Sequence, residues 1–233
     1  MIFDLDLTLI SVAVVFPLVF TLGSAFQRRE KALEHLGRAK GALLAIRYCF
    51  SFAKNLTGEE KEKIYGEIKN VKTQLIAFLY KDDDNKDELT ASIGTIQAFI
   101  IEHKDNIGRS LSLKVYRLMR DVIMGVENSI AIKVHRTPKS IRAYCELFIY
   151  VFPFFYAPTL INHLGIMADD VDELINGSVL AHLDNPFTLL VYLLNIILSF
   201  FLITLFNIQE QIENPFDQDG LDDIQLDNYL LDY

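Results

Sequence analysis

Three stretches of the chain, Leu7 to Gln27, Leu147 to Ala168 and Asn185 to Gln209, contain no Asp, Glu, Lys or Arg. Each meets the roughly 20 apolar residues that an α-helix needs to cross a hydrocarbon core about 30 Å thick. Buried helices of a soluble core are usually shorter and broken by charge, so the pattern predicts three transmembrane helices. Pro17 lies inside the first and predicts a kink whose freed carbonyl is satisfied by neighbouring helices. No basic segment precedes this stretch and basic residues follow it, so it reads as a retained anchor and not a cleaved signal peptide.

Between the spans the apolar residues fall at helical spacing. Ala32, Leu33, Leu36, Ala39, Leu43 and Ile46 mark one face of a helix that continues the first span to about Phe52. Thr57-Gly58-Glu59-Glu60 is a capping-box pattern, in which hydroxyl and carboxylate satisfy free backbone N–H groups, and it opens a helix that ends near Tyr80. Lys81 to Glu88 is a polar loop. Helices follow over Leu89 to His103 and Leu111 to Val134, and Thr137-Pro138 opens another, with proline in the first turn. The fold class is an all-α membrane protein, with transmembrane helices flanking a helical cytosolic domain. Its segments are a membrane helix (1–27), a helical basic domain (28–142), two membrane helices joined by an acidic outer loop (143–209), and an acidic tail (210–233).

Composition agrees with this reading: 51% of the 233 residues are hydrophobic and the mean hydropathy is +0.24. The net charge of -9 conceals a segregation, since all 22 Lys and Arg lie between Arg28 and Arg142, alongside 15 of the 31 acids. Because Arg28, Arg29, Lys31, Arg136, Lys139 and Arg142 flank two spans, the positive-inside rule places the middle domain and the C-terminal tail in the cytosol. The N-terminus and the Asp169 to Asp184 loop then lie outside.

Enzyme chemistry is not expected. His35, His103, His135, His163 and His182 lack metal-ligand spacing, and the chain has no Gly-rich phosphate loop or nucleophile elbow. Cys49 and Cys145 fall on or near the cytosolic side, where disulfides are rare, and read as packing residues. The sequon at Asn55 is on the cytosolic side; that at Asn176 is in the outer loop, where its use requires a eukaryotic secretory route. A nucleic-acid partner is disfavoured by the 15 acids within the basic domain. Three unlike spans do not show the paired, interrupted helices of transporters. A membrane-anchored scaffold, binding cytosolic partners or anionic lipid through the basic domain, is the alternative to a channel.

Four motifs, taken in order, carry a resemblance: Ser24-Ala25-Phe26-Gln27-Arg28 after the first span, Arg136-Thr137-Pro138 before the second, Phe152-Pro153 within it, and Glu213-Asn214-Pro215-Phe216 after the last. With these the chain resembles the bestrophin family of anion channels. It shows no counterpart of the first of that family's four membrane helices, and Arg29-Glu30 stands where the family has an aromatic pair. The resemblance implies a homopentamer in the lipid bilayer that conducts chloride as permeant ion and takes no small-molecule substrate. It also implies a central pore lined by Leu7 to Gln27, with Val12, Phe16 and Phe20 as the neck. Arg28, Arg29 and Lys31 at its inner end either raise the local anion concentration by long-range attraction or anchor the helix at the interface. Independently of any family, Val12, Phe16 and Phe20 lie at i, i+4 and i+8 and share one helical stripe. That stripe lines a pore or faces lipid or another helix. In the calcium-gated members a Ca2+ clasp follows the last span; the resemblance places it on the carboxylates of Asp219 and Asp222 and the carbonyls of Gln211 and Asn214. A solvated acidic tail is the other reading of that segment.

Overall fold

The computed structural model describes residues 7–81, 86–135, 138–163, 186–218, 220 and 222–231. The described residues form eight helices and no strands: α1 (Leu7–Ser51), α2 (Gly58–Tyr80), α3 (Asp87–Glu102), α4 (Lys104–Ile107), α5 (Arg109–Val134), α6 (Lys139–His163), α7 (Pro186–Glu213) and α8 (Leu226–Leu231). They divide into two compact units. One comprises residues 1–25 and 137–210, the other residues 26–136 and 211–233.

The second unit is organised by apolar stripes. Ala32, Leu36, Ala39, Leu43, Ile46 and Phe50 of α1 are buried, at alternating spacings of four and three, which keeps one face of a helix on a common core. The same core takes Ile64, Ile68, Val71 and Leu75 from α2, Ile96 and Phe99 from α3, and Val115, Val122 and Val126 from α5. Gly125 lets α5 approach α1 closely. A Cβ there would lie 2.6 Å from the His35 carbonyl oxygen and 2.9 Å from Ala39 Cβ.

Helix ends follow local chemistry. The capping box forms as the sequence predicts: Thr57 Oγ1 accepts from the Glu60 N–H at 3.3 Å, and Glu60 Oε2 accepts from the Thr57 N–H at 2.7 Å. Glu60 Oε1 also lies 3.1 Å from His103 Nε2, with the imidazole stacked on Phe99 at 4.3 Å. The Thr57 N–H is the foremost cause holding the Glu60 carboxyl below its ordinary range. At the other end of α2, buried Lys133 donates to the Phe78 carbonyl at 2.7 Å and to that of Lys81. A lysine from α5 thus caps a foreign helix, supplying positive charge where the dipole is negative. Gly108, at φ 77°, separates α4 from α5 in a conformation that side chains resist.

The acidic tail folds back on its apolar residues while Asp217, Asp222 and Asp227 stay exposed. Ile224, Leu226 and Leu230 are buried, and α8 packs on α2. Lys40 donates to the Tyr229 carbonyl and lies 4.9 Å from the centre of the Tyr229 ring.

The first unit gathers the start of α1 with α6 and α7. Leu18, Cys145, Ile149, Phe152, Leu202 and Phe206 form its core. Pro138 directly precedes α6, and its carbonyl accepts from the N–H groups of Ile141 and Arg142 at 3.0 and 3.3 Å. Asn195 of α7 donates to the Pro153 carbonyl of α6 at 3.4 Å, and Arg142 pairs with Glu210. Among the described residues one helix, over Leu189–Glu213, is long and apolar enough to cross a membrane, and only 17% of its most apolar window is buried. Core helices of soluble domains bury such a surface. The stretch expected over Leu147 to Ala168 follows α6 to His163, and its last five residues lie outside the described ones, as does the Asp169 to Asp184 loop.

Candidate functional site

The α1 segment within the first unit has two faces. Leu18, Thr21 and Ala25 are buried, and the Thr21 hydroxyl is satisfied internally by the Leu18 carbonyl at 2.9 Å. Val12, Phe16 and Phe20 are 55%, 59% and 61% exposed, and Val15 and Val19 are exposed beside them. Polar groups are absent from this described stripe, so nothing on it rewards contact with water. Phe16 and Phe20 meet edge to face with ring centroids 4.5 Å apart, an arrangement that suits the aromatic quadrupole. Phe20 also borders a mostly apolar cavity of about 660 Å3 that Pro17, Ser24, Ile141 and Tyr144 help to line.

Arg29 does not project freely. Its Nε donates to the Asp222 carbonyl at 2.6 Å and its Nη1 pairs with Glu30 at 3.1 Å. The tail is therefore fastened to α1 by one of the two arginines expected to act on passing ions. Arg28 is half-buried.

Around the tail motif the backbone is tightly held. Glu213, Asn214 and Phe216 are buried, Phe216 completely. Asn214 Oδ1 accepts from the Phe216 N–H at 3.4 Å, and the Ile224 N–H closes the loop onto the Pro215 carbonyl at 2.9 Å. Gly220 donates to Asp223 Oδ2 at 3.0 Å. A Cβ on Gly220 would stand 2.8 Å from Asp223 Oδ1 and 3.0 Å from the Gln211 carbonyl oxygen. The Gln211 carbonyl and the Asp223 carboxylate thus both face Gly220, and Asp217 lies close enough to Asp223 to act on its carboxyl. Burial, above all, raises Asp223 to about 6; the Gly220 N–H opposes the rise and Asp217 adds to it.

Of the four expected calcium ligands, Gln211 has its carbonyl at this loop, and Asn214 has its side chain committed within it. Asp222 is exposed and offers its carbonyl to Arg29; Asp219 lies outside the described residues. The acids brought together are Asp217 and Asp223. Both belong to the four acids of the Pro-turned loop, Asp217, Asp219, Asp222 and Asp223, that the sequence offers as oxygen donors, whereas the motif register puts the carboxylate positions on Asp219 and Asp222. Among the described residues no three His, Cys, Asp or Glu side chains gather to hold a metal.

The sequence matches no protein-family model and no curated protein. Its fold, however, is shared with solved structures. A bacterial bestrophin homologue from Klebsiella pneumoniae superposes with a TM-score of 0.78 at 10% identity, over 96% of this chain and 82% of the other. Two single-residue variants of that homologue give TM-scores of 0.77 and 0.78 at 10% and 11% identity, each over 96% of this chain and 83% and 82% of theirs. The fold that carries the exposed stripe and the anchored tail is the bestrophin fold.

Proposed function

We propose that the protein is a bestrophin-like channel, which inserts in the bilayer as a homopentamer and conducts chloride through a central pore with Val12, Phe16 and Phe20 as its neck. The observation that carries this reading is the exposed, wholly apolar stripe of α1, in a chain of bestrophin fold. Five copies would stack these residues as three rings. Apolar rings gate by dewetting, and the positive edges of phenyl groups favour an anion over a cation. The basic segment faces the cytosol in this reading, where its lysines and arginines raise the local anion concentration. In this reading calcium would engage the carbonyls of Gln211 and Asn214 and the carboxylates of Asp219 and Asp222. Calorimetry that finds wild-type and D219A/D222A proteins indistinguishable removes calcium from the proposal.

The test is the reversal potential of purified protein in a planar bilayer under a potassium chloride gradient. A value near the chloride equilibrium potential is expected; one near the potassium potential overturns the selectivity. Replacing Val12, Phe16 and Phe20 together with alanine widens the neck and raises conductance or relaxes selectivity. Unchanged currents would show that the stripe lies outside the pore, against lipid or another helix.

A further inference from the structure

A pocket of about 460 Å3 opens between α1 and α2 in the second unit, and its polar lining is mostly cationic. Arg47 comes from α1; Lys69 and Lys72 come from one face of α2, with Glu62 as the sole carboxylate of the lining. Gly66 leaves the α2 side open, since a Cβ there would meet nothing within 4 Å. Arg47 is already oriented, its guanidinium 4.9 Å from the centre of the Tyr65 ring.

Lys72 is the anomaly. It falls four residues after Ile68, on the core-facing side of α2, and is only 6% exposed. Its methylene stem is packed against the core while the ammonium opens to the pocket, the way a long basic side chain buries its carbons and keeps its charge accessible. Among the described residues no carboxylate or carbonyl accepts from Lys72, and the charges acting on it, those of Lys40 and Arg47, have its own sign. Burial first, then those two cations, hold its ammonium below the ordinary lysine range. Lys133, the other buried lysine of this unit, shows the contrast: two carbonyls accept its protons. The Lys72 ammonium is thus presented, without a protein acceptor, to whatever enters the pocket.

We propose that this pocket binds a small organic phosphate, with Lys72, Lys69 and Arg47 on the phosphate oxygens. A phosphate takes several donors at once, and a stacked guanidinium presents a planar fork that suits two of its oxygens. The volume leaves room for an organic portion beside the phosphate. Glu62 can accept a hydroxyl or amine proton from that portion. The site is independent of conduction, and the phosphate belongs either to a soluble metabolite or to a lipid headgroup.

The experiment is calorimetric titration of the full-length protein, in neutral detergent and sulfate-free buffer, with inorganic pyrophosphate. A parallel thermal-shift series uses phosphatidylcholine vesicles with and without phosphatidic acid. One saturable site per chain is expected, weakened at least tenfold by Lys72→Met and closed by Gly66→Leu, which blocks the pocket without touching charge. Lys114→Met, an exposed lysine elsewhere, should leave binding unchanged. A response to pyrophosphate assigns a soluble ligand, and a response confined to phosphatidic acid assigns a headgroup. The inference is overturned if neither probe binds, or if Lys72→Met and Lys114→Met behave alike. It is also overturned if Lys72→Met merely dissociates the oligomer without changing phosphate affinity, since a neighbouring copy's carboxylate would then be the partner.

Discussion

Phe216→Ala tests whether the tail is a structural part of the helical unit or a loose appendage. The ring is completely buried in a core shared by α1, α2, α3, α5 and α8. A phenylalanine buries about 150–250 Å2, which at ~25 cal/mol per Å2 bounds the transfer contribution near 4–6 kcal/mol. Alanine retains part of that, while the vacated space adds a cavity penalty, so a net loss of about 3–5 kcal/mol is expected. The loss appears first as local opening, because only the tail has to leave. Cleavage of the tail by a dilute protease under native conditions tracks the open population when closing is fast. At ~1.4 kcal/mol per factor of ten, it should accelerate by about two to three orders of magnitude. Phe216→Leu, which keeps most of the volume, should accelerate it by about tenfold or less. If Phe216→Ala changes the cleavage rate by less than about tenfold, the ring does not anchor the tail and the burial argument fails.

Gly125→Ala sets about 1 kcal/mol of gained helix propensity against overpacking of roughly 1–3 kcal/mol, because the new methyl collides with the His35 carbonyl. It should lower the melting temperature, whereas Gly66→Ala, with open space around it, should raise it; equal shifts would refute the close crossing of α1 and α5. Lys133→Met leaves the carbonyls of Phe78 and Lys81 without their donor and should cost about 1–3 kcal/mol, with faster amide exchange in the last turn of α2 as the local signature. Asp223, raised to about 6 by burial, stabilises the tail fully below its unfolded value of about 4, and that contribution is lost as pH rises through 6. Thermal stability should fall between about pH 4 and pH 6, and Asp223→Asn should flatten the dependence.

Periodicity made most of the helical architecture legible, because a stripe spaced by three and four residues has few ways to be buried. The α1 stripe from Ala32 to Ile46, the Thr57 capping box and the helix ending at Val134 all stand where the residues placed them. The tail did not, and the reason is physical. Its acids at 217, 219, 222, 223 and 227 dominate any window average, while the residues that fold it, Phe216, Ile224, Leu226 and Leu230, are few and irregularly spaced. Such residues find their partners only once α2 is in place, so the signal is tertiary. The Arg29 contact is equally nonlocal: nothing near Arg29 in sequence indicates that a backbone carbonyl 193 residues away accepts its proton.

Two buried lysines mark the boundary between what a pattern reveals and what it conceals. Lys72 and Lys133 both occupy core registers, four residues after Ile68 and four after Ser129, so the sequence alone exposes the anomaly of a cation on an apolar face. Only the structure separates them, for Lys133 has found the carbonyl end of α2 and Lys72 has found other cations. An apolar residue would serve either position at no electrostatic cost. Lys133 is accounted for by its role as a cap. Lys72 has no acceptor among the described residues and turns its ammonium to an open pocket, which is why a ligand should be sought there and not in the core around its stem.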